Sequence, residues 1–119
     1  MPIEVVIEPP PIKVYIAGPM SGLPEYNYPA FYKAEEKLKV MGYEAMNPAR
    51  NPKQENWQLY MRQAITLMMR CDCIFLLPGW TSSRGALLEH EIASSIAMPV
   101  AYPENWCPES PNPWEGIYE

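Results

Sequence analysis

The stretch "DCIFLLPG" (residues 72–79) decides how this chain is read. Cys73 to Leu77 run without a polar break and stop at Pro78–Gly79. A strand wetted on one face alternates apolar and polar residues. A continuous apolar run bounded by turn residues predicts a strand covered on both faces, as in a parallel sheet. The flanking segments agree. Upstream, "NWQLYMRQAITLMMRC" (56–71) predicts a helix with Leu59, Met61, Ile65 and Met68 or Met69 among its apolar positions. Downstream, "TSSRGALLEHEIASSIA" (81–97) opens as a loop and continues as a helix, and "PVAYP" (99–103) follows as a strand.

Nearer the N-terminus the same alternation holds. "IKVYIAG" (12–18) is β-branched and aromatic and ends at a glycine, as a buried strand does. "PMSGLPEYNY" (19–28) is a loop. "PAFYKAEEKLKVMG" (29–42) sets Phe31, Ala34, Leu38 and Met41 at helical spacing, with Pro29 in the first turn and Gly42 at the C-terminal cap. "YEAMNP" (43–48) predicts a short strand and "ARNPKQE" (49–55) a loop. The order β-α-β-α-β-α-β predicts about four parallel strands, right-handed crossovers and helices on both faces. No segment repeats another.

At 119 residues the chain has length for one core. Residues 12–102 are expected to form the domain, preceded by an N-terminal arm (1–11) and followed by a Pro/Trp-rich tail (103–119). "PIEVVIEP" (2–9) alternates apolar and polar residues, as an added edge strand or an arm on a second subunit would. The tail is expected to wrap the surface through Trp106 and Trp114. Fifteen prolines cluster partly at the two ends, which leaves the middle to regular structure.

Composition narrows the partners. A net charge of −5 with no basic run argues against general nucleic-acid binding. No apolar run reaches the roughly 18 residues of a membrane span. "MPIEVVIEPPPIK" (1–13) has no signal-peptide pattern, so a cytoplasmic protein is expected. Cys71, Cys73 and Cys107 match neither a disulfide framework nor a zinc spacing and read as reduced structural thiols.

Chemistry is expected beyond the carboxyl ends of the strands, where parallel sheets bind ligands. "AGPMSG" (17–22) offers two glycines for close backbone approach. "PGWTSSRG" (78–85) leads into a helix whose first-turn N–H groups, with Ser82, Ser83 and Arg84, suit an anion such as phosphate. A serine that merely caps the helix explains the same residues. Trp80 suits stacking on a flat base or ordinary packing. His90, the only histidine, reads as a surface or packing residue.

Glu89 is the sharper signal. Ala86, Ile92, Ala93 and Ile96 lie three, three, four and seven residues from it, so a carboxylate sits on an apolar helix face. Burying it without partners is costly. Two readings stay open: it snorkels to water or pairs with Arg84 or Lys13, or it faces a pocket as a nucleophile for a sugar carbon.

"VYIAGPMSG", "NPAR", "CDCIFLLPGW" and "SSRGALLEHEIA" together resemble the nucleoside 2-deoxyribosyltransferase-like superfamily, with the DUF4406 branch nearest. The resemblance covers residues 13–102. It implies a flavodoxin/Rossmann-like three-layer α/β/α fold and cleavage of the N-glycosidic bond of a deoxynucleoside or nucleoside 5′-monophosphate. On the family motif, Gly85, Glu89 and Ala93 take the places of glycine, nucleophilic glutamate and alanine. Ser83 takes that of the phosphate-binding serine, and Tyr15 that of the tyrosine beside the glutamate. Gly18, Ser21, Gly22, Ser82, Arg84 and Trp80 complete the expected substrate-binding set. The resemblance implies no metal or organic cofactor, a small-molecule nucleoside or nucleotide as partner, and a homo-oligomer. Two positions depart from the pattern. Ala64 stands where relatives carry an aspartate that handles the leaving base, and Pro19 replaces a first-loop serine for which Ser21 is the substitute. A nucleotide-binding or sensing protein that keeps the pocket without turnover is the alternative.

Overall fold

Strand order is what places the site. The computed structural model describes residues 11–103. Within them, β1 (Lys13–Ala17), α1 (Tyr28–Val40), β2 (Glu44–Met46), α2 (Trp57–Met68), β3 (Cys73–Leu76), α3 (Arg84–Ser95) and β4 (Val100–Ala101) follow in the expected sequence. The four strands form one parallel sheet in the order β2-β1-β3-β4, with Tyr15 in register with Met46 on one side and Ile74 on the other. The chain winds outward from β1 to β2 and then returns to add β3 on the opposite side. The β1 and β3 ends are therefore the switch point, and the loops that follow them diverge around a crevice. The edge strand or arm and the tail expected from the sequence lie outside the described residues.

Alternation along β1 divides the core into two layers. Val14 and Ile16 face α1, where Phe31, Ala34, Leu38, Cys73, Phe75 and Leu77 fill one side. Tyr15 and Ala17 face the other side with Met68, Ile74, Leu76 and Ala93, under α2 and α3. β3 is buried along its whole length, as its unbroken apolar run predicts. Every element is shorter than its sequence segment by a residue or more, because caps and turns consume the ends.

The caps are identifiable. Asn56 Oδ1 accepts from Leu59 N at 2.9 Å to start α2, and Ser83 Oγ accepts from Ala86 N at 3.2 Å to start α3. α1 ends on Gly42 at φ 93°, where Tyr43 N donates to Leu38 O at 3.0 Å. α3 ends in the same left-handed closure, with Met98 N donating to Ala93 O at 2.8 Å, but the residue at positive φ is Ala97 (59°). A third left-handed stretch, Glu25, Tyr26 and Asn27, enters α1, and Asn27 Nδ2 donates back to Pro19 O at 3.0 Å.

Two helix faces differ from expectation. On α2 the buried residues are Met61, Ala64 and Met68, while Leu59 is 37% and Met69 47% exposed. The inward face is thus turned from the most hydrophobic residues toward a small one, because α2 must pack close to α3. On α3, Ala86, Glu89 and Ala93 are buried, but Ile96 is 54% exposed at the cap where the chain leaves the helix. Cys71 precedes β3 rather than lying in it. It and Cys73 are both buried, and burial pushes the Cys71 thiol up to about 12. Such a thiol stays protonated and unreactive.

Candidate active site

A cavity of about 290 Å³ opens where the end of β1, the loop that follows it, α2 and α3 meet. That is near the low end of small-molecule pockets, roughly 300–1,000 Å³. Its floor is the end of β1, with Tyr15, Ala17 and Gly18. α3 supplies Arg84, Gly85, Ala86 and Glu89, the preceding turn Ser82 and Ser83, and α2 Trp57, Tyr60 and Met61. Gly18 has a steric reason: a Cβ there would lie 2.7 Å from Leu77 Cβ, so only a glycine lets the ends of β1 and β3 touch.

Glu89 is 5% exposed and forms no ion pair among the described residues. The Tyr15 hydroxyl donates to its carboxylate, while Glu89 Oε2 is buried with no partner. Burial pushes the carboxyl up to about 8, and the Tyr15 hydrogen bond opposes only part of that shift. Burial and the adjacent carboxylate push Tyr15 well above the ordinary phenol range.

The second buried acid shows what a structural carboxylate looks like here. Glu35 on α1 takes two bonds from Arg50, Nε to Oε1 and Nη2 to Oε2, both 2.7 Å. The Arg50 hydrogen bond outweighs burial and lowers the Glu35 carboxyl below its usual range. Glu35 is satisfied by a cation outside the cavity. Glu89 is not, and it faces space.

The rim at the α3 N-terminus is cationic. Arg84 does not reach Glu89; its guanidinium stacks on Trp57, 3.8 Å from the ring centroid. The Arg84 and Gly85 N–H groups have no helical carbonyl behind them and sit on the cavity wall at the positive end of the helix dipole. Ser83 does cap the helix, as the simpler reading held. Accepting from Ala86 N occupies one of its two oxygen lone pairs and leaves its hydroxyl hydrogen free to donate.

A model of the family described as "Domain of unknown function (DUF4406)" matches residues 12–102. The chain belongs to the DUF4406 family. No curated protein matches it. Among solved structures, the 2-desoxiribosyltransferase from Leishmania mexicana superposes with a TM-score of 0.62 at 18% identity, covering 77% of this chain and 63% of that one. The DUF4406 domain thus has the α/β fold of that transferase and spans less than two thirds of its length.

In the DUF4406 domain the cavity gathers eight of the residues singled out from the sequence: Tyr15, Gly18, Ser21, Ser82, Ser83, Arg84, Gly85 and Glu89. Two are elsewhere. Gly22 occupies a left-handed turn with open space around it. Trp80 packs on His90 and Tyr102, with centroids 4.6 and 6.0 Å away. His90 Nε2 lies 2.9 Å from the Tyr102 hydroxyl, which fits its reading as a packing residue.

Sequence reasoning missed Trp57, Tyr60 and Met61 as cavity walls. With Ala64 they recur at spacings of three, one and three, one helical face of α2. That periodicity was available in the sequence, but Leu59 and Ile65 drew the apolar face elsewhere. Ala64 itself is buried and does not line the cavity.

Proposed function

We propose that this domain cleaves or transfers at the N-glycosidic bond of a nucleoside 5′-monophosphate, with Glu89 as the nucleophile. The observation that carries the reading is a buried carboxylate facing a cavity, with an oxygen unpartnered and no paired cation among the described residues. An ionised Glu89 oxygen attacks C1′, the C1′–N bond breaks, and its electron pair leaves with the base. Water or a second base then displaces Glu89 from the glycosyl-enzyme. Tyr15 holds the carboxylate by its hydrogen bond. The substrate phosphate is assigned to the Ser83 hydroxyl, the Arg84 guanidinium and the first-turn N–H groups of α3. Gly18 and Ser21 border it from the opposite loop. No step calls for a metal or organic cofactor.

The test is a panel of deoxynucleoside and ribonucleoside monophosphates incubated with the protein, with free base followed by chromatography. Wild type is expected to release base, and Glu89→Ala to lose that activity by several orders of magnitude. Full activity in Glu89→Ala removes the nucleophile from the scheme. One feature favours a second reading: among the described residues lining the cavity, Glu89 is the only carboxylate. A nucleotide-binding protein without turnover needs no second acid. Saturable binding without base release supports it.

A further inference from the structure

Breaking a C1′–N bond puts negative charge on the departing base, and something must meet that charge. The cavity holds few groups able to do so. Among the described residues lining it, the sole carboxylate is Glu89, the Tyr15 hydroxyl is committed to Glu89, and Arg84 is stacked on Trp57 at the mouth of the proposed phosphate site. Tyr60 is the titratable side chain that remains.

Its position suits the task. Tyr60 projects from α2 and Glu89 from α3, so they line the cavity from different helices. A second hollow of about 330 Å³ adjoins the cavity and shares Met20, Ser21, Trp57 and Tyr60 with it; Tyr26, Tyr28, Lys53, Gln54 and Asn56 complete its lining. Tyr60 therefore lies on the wall common to the two spaces. Its hydroxyl is poorly engaged: it lies 3.1 Å from Met20 Sδ, a weak acceptor, and 3.3 Å from Pro48 O, long for an O–H donor. A stronger acceptor at that wall takes that hydrogen.

We infer that Tyr60 is the catalytic residue that donates a hydrogen bond to the departing base, and that the base leaves toward the aromatic hollow. The inference rests on the proposed glycosidic cleavage. Burial and the neighbouring Glu89 charge hold the phenol above its ordinary range, so Tyr60 keeps its proton and acts as a donor rather than an acid. The bond's electron pair leaves with the base as an anion, which afterwards takes its proton from water. This chemistry favours pyrimidines, whose C2 carbonyl adjoins the glycosidic nitrogen and carries part of the leaving charge. Bases that depart only after ring protonation are disfavoured.

The experiment compares wild type with Tyr60→Phe on deoxyuridine 5′-monophosphate and on its 5-fluoro and 5-nitro analogues, whose bases are progressively better leaving groups. Thermal melting of both proteins accompanies the kinetics. The expected result is a kcat loss on the order of 100-fold on uracil. The loss shrinks steadily across the series, with KM little changed and melting within a few degrees of wild type. An equal loss on all three substrates, or no loss, overturns the inference and leaves glycosidic cleavage standing. If wild type releases none of these bases, or releases purines alone, the pyrimidine donor role is overturned. Silence on every nucleotide removes the parent reading as well.

Discussion

Tyr15 and Glu89 meet across the interface between sheet and helix, the phenol of a central strand donating to a carboxylate that forms no ion pair among the described residues. Because this bond favours the ionised carboxylate, Tyr15→Phe is expected to raise the Glu89 pKa further above about 8. The alkaline rise of base release should move upward in pH by the same amount. A pH–rate profile of the two proteins reads it directly.

Glu89 also makes stability depend on pH. Its folded pKa of about 8 exceeds the ordinary 4.5, so the folded state holds a proton that the unfolded chain has released. Its contribution is complete below about pH 4.5 and is lost as pH rises through about 8. Glu89→Gln, which carries no charge to bury, is therefore expected to be more stable than wild type by about 5 kcal/mol at pH 9. The difference should fade toward pH 5. Urea denaturation at a series of pH values measures it, and a pH-independent difference contradicts the burial argument.

Glu35 should behave in the opposite sense. Its carboxyl is lowered by Arg50, so its contribution is present above the unfolded carboxylate pKa and disappears as pH falls through the folded value. Arg50→Met removes both of its bonds to Glu35 and leaves that buried carboxylate with the Asn47 side chain and the Lys39 charge alone. The variant is expected to be destabilised at pH 7 and to approach wild type at low pH, where Glu35 is protonated in both. Melting curves at pH 7 and pH 3 check the reversal.

Ala97 holds a position that glycine occupies at the end of α1. At φ 59° its Cβ is strained, whereas Gly42 closes the equivalent turn freely. Ala97→Gly is expected to stabilise the domain by about 0.5–1 kcal/mol. Gly42→Ala should cost a similar amount. Calorimetry of the two single variants tests both signs.

The layering of the fold was legible because each strand is announced by its own apolar run and closed by a turn residue, as in Ile12–Gly18 and Cys73–Gly79. Glu89 was legible because a charge among alanines and isoleucines breaks helical periodicity. Glu35 breaks it equally, four residues after Phe31 and three before Leu38. Its partner Arg50 lies fifteen residues away, and no local pattern joins them. Trp80 sits in a loop, where no period says which way a ring turns, and it faced His90 rather than the cavity. Trp57 and Tyr60 were hidden for another reason. Helix α2 shows its less hydrophobic side to the crevice, a choice made by packing against α3 through Gly85, where a Cβ would come within 2.9 Å of Met61 Sδ.

Tyr15 and Ala17 belong at once to the inner packing layer and to the cavity floor. New specificity cannot be selected at those two positions without risking the whole domain. The tunable part is the wall contributed by Met20 and Trp57, neither of which pairs in the sheet. A mutational library confined to that wall should yield folded proteins with altered ligand preference. The same diversity placed at Tyr15 and Ala17 should yield mainly insoluble chains.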